Sequence, residues 1–189
     1  MTQSIFTRRL EIKQVQFEEV QGKTSIFTYQ SPFFYDLQIQ SEKGDAGWKI
    51  FFNKSQFNPP FEKHKEELIF EQYKIHSIFY FVFLKENTTK IGWICLEHIK
   101  WNNTTRLWDI DVDDRYRHLG FGSEMMEFIK QVSKESGSRG IVLECQTSNY
   151  PAIQFYRKMG FQLGGFDAIA YSNQDSEKHE VRLEMVFTF

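Results

Sequence analysis

The segment Trp108-Asp109-Ile110-Asp111-Val112 alternates polar and apolar side chains, and only five residues later the chain reads Arg117-His118-Leu119-Gly120-Phe121-Gly122. Beyond it, Met125, Ile129 and Val132 recur at i, i+4 and i+7, with Met126 and Phe128 widening the stripe and Gly137 available to end a helix. A strand, a glycine-bearing turn and a helix therefore follow one another almost without linker. Small residues at Gly120 and Gly122 let a backbone approach a phosphate, and free N–H groups opening a helix favour negative charge. Arg117 adds a cation beside them. A purely structural turn would look the same, but the common nucleotide-binding patterns do not fit. Gly-x-x-x-x-Gly-Lys-Ser/Thr is missing, and Gly-x-Gly-x-x-Gly fails because position 125 is Met.

The remaining elements read around this unit. Strand-like runs cover 77–84, 90–99 and 105–112, separated by Glu86-Asn87-Thr88-Thr89 and Trp101-Asn102-Asn103, which predicts an antiparallel meander. After the helix come a buried strand at 140–145, a helix at 151–159, a short strand at 161–165 and a last strand at 181–187. Toward the N-terminus, alternation around Ile12 to Phe17 predicts a strand before Gly22, and 30–60 reads as short elements and turns. The Glu- and Lys-rich stretch from Phe61 to about His76 predicts an amphipathic helix. The order argues for one mixed α/β domain over 1–189, with 1–60 the least clearly assigned part.

Composition narrows the function classes. The 189 residues are 41% apolar and carry 23 Lys and Arg against 25 Asp and Glu, a formal charge of −2. That is enough apolar material for a core, and no basic excess calls for nucleic acid. Cys95 and Cys145 are too few for a disulfide framework, and neither CxxC nor HExxH occurs. The five histidines are scattered, so no metal is expected. Charges at Arg8, Arg9, Glu11 and Lys13 interrupt the N-terminal stretch, and no run approaches the roughly 18 apolar residues of a membrane span. The expectation is a protein of the reducing cytoplasm without a membrane partner. A homodimer stays open as one way to cover exposed aromatic or strand surface.

The pattern Val112-Asp113-x-x-Tyr116-Arg117-x-x-Gly120-x-Gly122, followed by Asn149-x-Pro151-Ala152-x-x-Phe155-Tyr156-x-x-x-Gly160-Phe161, resembles the GCN5-related N-acetyltransferase superfamily. Glu144-Cys145-Gln146-Thr147-x-Asn149 and Gly164-Gly165-Phe166-Asp167 are similar to its streptothricin acetyltransferase branch, chiefly over 105–171. The resemblance implies an acyl-CoA N-acyltransferase fold: a mixed, mostly antiparallel central sheet flanked by helices, two strands of which splay to admit the pantetheine arm of acetyl-CoA. It implies pyrophosphate contacts from the backbone of His118, Leu119, Gly120, Phe121 and Gly122, with Arg117 opening the loop and Ser123 extending it. It further implies pantetheine contacts around Ile110 to Val112, with Asn149, Ala152 and Tyr156 near the cofactor. Where relatives often carry Glu before Asp-Ile, this chain has Trp108 before Asp109.

Amine acetylation needs a neutral nitrogen at the thioester carbonyl and a proton for the departing sulfur. The Tyr156 phenol is the candidate general acid, and a helix stripe of Ala152, Phe155 and Met159 would leave it at the edge of a cleft. Asp109 and Asp111 lie two apart on a strand, so both face one side, with Trp108, Ile110 and Val112 on the other unless a bulge intervenes. The pair can attract a cationic amine or simply be solvated. Glu144 can receive the same cation or belong to a structural network, Asn149 can cap a helix, and Tyr171 edges the polar connection 172–180. Cys145, at the end of an apolar run, reads as a small buried side chain.

The expected activity is acetyl-CoA-dependent transfer to a primary amine of a small cationic acceptor such as a streptothricin-like antibiotic. Acetylation of a protein or peptide is the competing enzyme reading. A non-catalytic acyl-CoA-binding or sensing domain is the competing non-enzyme one.

Overall fold

A computed structural model describes residues 4–41, 44, 47–175 and 177–189. The chain gathers into two compact units, each assembled from separate segments. One comprises Met1–Ser25, Glu67–Leu143 and Val186–Phe189, and the other Ile26–Glu66 and Glu144–Met185.

In the first unit, β1 (Ser4–Phe6) pairs antiparallel with β2 (Leu10–Val15), β2 with β5 (Ile78–Leu84), β5 with β6 (Lys90–Ile99) and β6 with β7 (Thr104–Val112). This is the predicted meander with two further strands on its edge. The chain then passes through α1 (Phe121–Glu135) into β8 (Gly140–Gln146), which pairs parallel to β7 over Thr105–Leu107 and Ile141–Leu143. A parallel neighbour needs such a crossover, because a tight turn can only reverse a strand.

Strand alternation sorts this unit into two faces. Val15, Phe79, Cys95 and Asp109 form one cross-strand row, and Lys13, Phe81, Trp93 and Asp111 the next on the same face. The opposite face carries Ile12, Val82, Gly92 and Val112, and Gln14, Tyr80, Ile94 and Ile110. Helix α1 covers that second face, with Phe128 edge-on to Tyr80 at 5.2 Å. Ile12, Val82, Ile94, Met125, Met126 and Ile129 are fully buried, each contributing about 1.5–3 kcal/mol of burial.

The second unit holds most of a long two-stranded ribbon of β3 (Thr24–Ser41) and β4 (Trp48–Leu68), then α2 (Tyr150–Lys158) and β9 (Gln162–Asp167). In it β10 (Arg182–Thr188) lies between β8 and β9 in the strand order. The ribbon overturns two expectations. Residues 30–60 are not short elements and turns, although positions 42, 43, 45 and 46 of that stretch lie outside the described residues. The predicted helix from Phe61 to His76 is strand to Leu68, followed by a single 3-10 turn at Gln72–Lys74. Glu and Lys are good helix formers, but a short solvated helix is marginal without an apolar face to bury. Here Phe61 instead stacks on Phe57 at 5.2 Å, Phe57 meets Phe34 at 4.5 Å, and Lys63 is ion-paired with Glu180.

No helix among the described residues is long and apolar enough to cross a membrane.

Candidate active site

Strand β7 carries a bulge at the residue where its chemistry begins. Cys95 opposes Asp109 and Leu96 opposes Leu107, so Trp108 is an extra residue in the ladder. The bulge corrects the expected facing of Trp108. Regular alternation puts it with Ile110 and Val112, whereas its ring packs against the cluster containing Phe79, Trp93 and Cys95. Its indole N–H donates to Glu97 at 2.9 Å, and the ring lies 5.1 Å from that of Tyr73. Trp108 and Asp109 therefore stand side by side, as a two-against-one bulge requires. Asp109 and Asp111 keep their shared face, since the register from Asp109 to Val112 is regular.

Both carboxylates are engaged. Asp109 accepts from Lys74 Nζ at 2.6 Å, a lysine only 4% exposed that also reaches the Ile69 carbonyl at 3.5 Å. Asp111 lies 3.5 Å from Arg117, and burial lifts its carboxyl above the ordinary range while Arg117 acts against that shift. Arg117 also donates Nε to the Val112 carbonyl at 2.9 Å and pairs with Asp114 at 2.8 Å. Its guanidinium thus staples the end of β7 to the following turn.

Within the first unit β8 pairs with β7 over Thr105–Leu107, and Ile110 and Val112 lie beyond that paired stretch, at the end of β7 that leads into the turn. Behind it, Gly92 allows the strands to close: a Cβ there would sit 2.1 Å from the Asp111 carbonyl oxygen.

The turn that follows suits an anion. Asp113 accepts from the Arg115 amide and guanidinium, which hold its carboxyl down to about 2. His118 and Gly120 have φ of 63° and 88°, so left-handed residues alternate through the turn. Successive N–H groups can point to one side of such a backbone. Gly120 is the residue preceding α1 and offers no side-chain cap, so the first-turn amides of Phe121, Gly122 and Ser123 are left to an external acceptor. Leu119 is exposed and Phe121 buried. These backbone groups fit a diphosphate, and among the described residues no cluster of three metal-ligating side chains exists.

The other expected residues lie in the second unit. Asn149 is buried, and its side-chain oxygen accepts from the Ala152 amide at 3.2 Å, which makes it the cap of α2. The expected stripe of Ala152, Phe155 and Met159 is not the buried one: Ile153 is the only fully buried residue of α2, because the helix presents a different edge to its unit. Tyr156 is half-buried, with its ring 5.4 Å from Phe155 and 5.9 Å from Phe161. Tyr171 donates its phenol to Glu144 at 2.6 Å, and Arg182 approaches the other Glu144 oxygen at 3.3 Å. Glu144 and Tyr171 are therefore one group. Ser176, in the polar connection after Tyr171, lies outside the described residues; Asp175 nearby accepts from the amides of Tyr171 and Ser172. Cys145 is buried, and burial raises its thiol far above the ordinary value.

Sequence reasoning missed Lys74, Arg182 and Arg9. Their partners lie 35, 38 and 115 residues away, and no local pattern marks such contacts.

A bulged strand, an uncapped glycine turn and a crossover helix define a class that the comparisons make explicit. The acetyltransferase (GNAT) family matches residues 48–161. A Bacillus anthracis str. Ames protein assigned as a streptothricin acetyltransferase, solved in complex with acetyl coenzyme A, superposes with TM-score 0.71 at 30% identity, covering 95% of this chain and 97% of that one. A nourseothricin acetyltransferase has the same fold, with TM-score 0.71 at 22% identity over 95% of this chain and 98% of its own. A streptothricin acetyltransferase of Streptomyces lavendulae is 32% identical over 95 residues, and the match spans half of each chain. The chain belongs to the GNAT acetyltransferase family, with its mixed, mostly antiparallel sheet flanked by helices.

Proposed function

We propose that this protein is an acetyl-CoA-dependent N-acetyltransferase whose acceptor is a primary amine on a small cationic molecule of the streptothricin class. The observation that carries the reading is the run from the bulge at Trp108 through the end of β7 to the uncapped Gly120 turn, in a chain 30% identical over nearly its whole length to a protein solved with acetyl coenzyme A.

Acetyl-CoA supplies the activated thioester. In this reading the amides of His118 to Gly122, extended by Ser123, bind its diphosphate, and the Ile110–Val112 backbone hydrogen-bonds the pantetheine amides. Asp109, Asp111 and Glu144 serve in this reading as carboxylates for a cationic acceptor, Trp108 as an apolar wall and Tyr171 as a polar one. The neutral amine nitrogen attacks the carbonyl carbon, the C–S bond breaks, the nitrogen gives up a proton to a carboxylate directly or through water, and Tyr156 protonates the departing thiolate. Asn149 and Ala152, joined by the cap of α2, are further coenzyme contacts in this reading. No acyl-enzyme is needed, which agrees with the burial of both cysteines.

The test is free-thiol release from acetyl-CoA together with mass detection of the acetylated product, across streptothricins, other small amines and peptides. Acetylation of streptothricin-class amines in preference to peptides supports the proposal. Peptide preference transfers the activity to the protein-acetylating class, and tight acetyl-CoA binding without any product makes the chain a coenzyme-binding domain.

A further inference from the structure

Arg9 stands in the short connection between β1 and β2, outside the residues matched by the family, yet it reaches the turn before α1. Its Nη1 donates to the Leu119 carbonyl at 3.0 Å, its guanidinium lies 4.3 Å over the Phe121 ring, and Nη2 is 3.2 Å from where a Cβ on Gly120 would be. Its Nε pairs with Glu124 in the first turn of α1. That carboxylate accepts in addition from the Thr7 hydroxyl at 2.9 Å and the Arg9 amide at 3.1 Å.

Two consequences follow from elementary chemistry. A peptide unit is planar and trans, so its carbonyl and N–H point in opposite directions, and gripping the Leu119 oxygen fixes the direction of the Gly120 N–H. This matters at Gly120, whose left-handed backbone and missing side chain give the turn little else to hold it. Glu124 would otherwise set a negative charge near the amides that are to receive phosphate, and its three contacts to Thr7 and Arg9 neutralise and restrain it. Arg117 cannot do this work, because Val112, Asp111 and Asp114 already occupy its guanidinium.

We infer that Arg9 is a positioning residue for coenzyme binding: it locks the Leu119–Gly120 peptide so that the turn's amides face the diphosphate, and it shields them from Glu124. The inference rests on the coenzyme reading above. The experiment compares CoA with pantetheine, which lacks the phosphates, by calorimetric titration of the wild type, Arg9→Ala and Arg9→Lys.

The wild type should bind CoA far more tightly than pantetheine. Arg9→Ala should lose about tenfold in CoA affinity and Arg9→Lys about threefold, since an ammonium lacks the fixed fork that sets separate nitrogens on Leu119 and Glu124, with pantetheine affinity unchanged. In turnover the change should appear in the acetyl-CoA KM while kcat at saturation holds. If the wild type does not discriminate between the two ligands, the coenzyme reading fails and Arg9 loses its role with it. If the wild type discriminates and both variants bind CoA as it does, or if the variants lose CoA and pantetheine equally, the role of Arg9 is overturned and the coenzyme reading stands.

Discussion

Lys74 and Asp109 form an ion pair of 2.6 Å between a lysine that the fold buries and the carboxylate beside the bulge of β7. Burial works against the Lys74 charge, but Asp109 more than offsets it and lifts the ammonium above the ordinary lysine value. Lys74→Met should therefore strand a carboxylate and destabilise the protein by about 2–3 kcal/mol, below the usual range for fully buried pairs because Asp109 is 25% exposed. The double variant with Asp109→Asn should recover most of this. The sign of the pH dependence follows: on the alkaline side the contribution is lost as pH rises from the unfolded lysine value of about 10.4 through the higher folded value. On the acid side, protonation of Asp109, whose carboxyl burial raises against the pull of Lys74, also breaks the pair. Urea unfolding from pH 8 upward should show that alkaline loss in the wild type and not in Lys74→Met.

Gly92→Ala should damage both stability and coenzyme binding, because its Cβ would meet the Asp111 carbonyl oxygen at 2.1 Å and push β7 away. A loss of about 1–3 kcal/mol in denaturant unfolding, with a raised acetyl-CoA KM, is expected. Wild-type values in both would mean that the close approach of β6 and β7 does not shape the site.

Tyr156→Phe removes a phenol while keeping a ring that packs against Phe155 and Phe161. Steady-state kinetics should show kcat lower by about two orders of magnitude, with the acetyl-CoA dissociation constant little changed. Unchanged kcat would remove Tyr156 as the general acid.

Burial pushes the Cys95 thiol up to about 12 and raises Cys145 as well. Neither should react with a thiol reagent at pH 8 in the folded protein, and both should react once it is unfolded in denaturant. Mass spectrometry during turnover should detect no acetylated enzyme, and Cys145→Ala should retain turnover. A trapped acetyl-cysteine would overturn direct transfer.

Much of this was legible in the sequence, and for a stated reason. Strands β5 to β8, strand β10 and helix α1 announce themselves by apolar spacing that their burial repeats, and the Arg117-x-x-Gly120-x-Gly122 turn lies in one continuous stretch. Helix α2 and strand β9 are placed correctly, although the expected α2 stripe is not the buried one and β9 fully buries no side chain. The ribbon of β3 and β4 was not legible, since its Glu- and Lys-rich second strand has helical composition and is held by rings at Phe34 and Phe57 that composition does not reveal. The bulge at Trp108 was foreseen only as a condition, because a ladder's register depends on the neighbouring strand. The engagement of Asp109 by Lys74, and of Glu144 by Tyr171 and Arg182, belongs to contacts made across the fold.

The most direct test of the account is a crystal structure of the protein with acetyl-CoA. It should show the diphosphate oxygens within hydrogen-bonding distance of the His118 to Gly122 amides and the pantetheine along Ile110 to Val112. Coenzyme bound elsewhere, with that turn facing away from its phosphates, would contradict it.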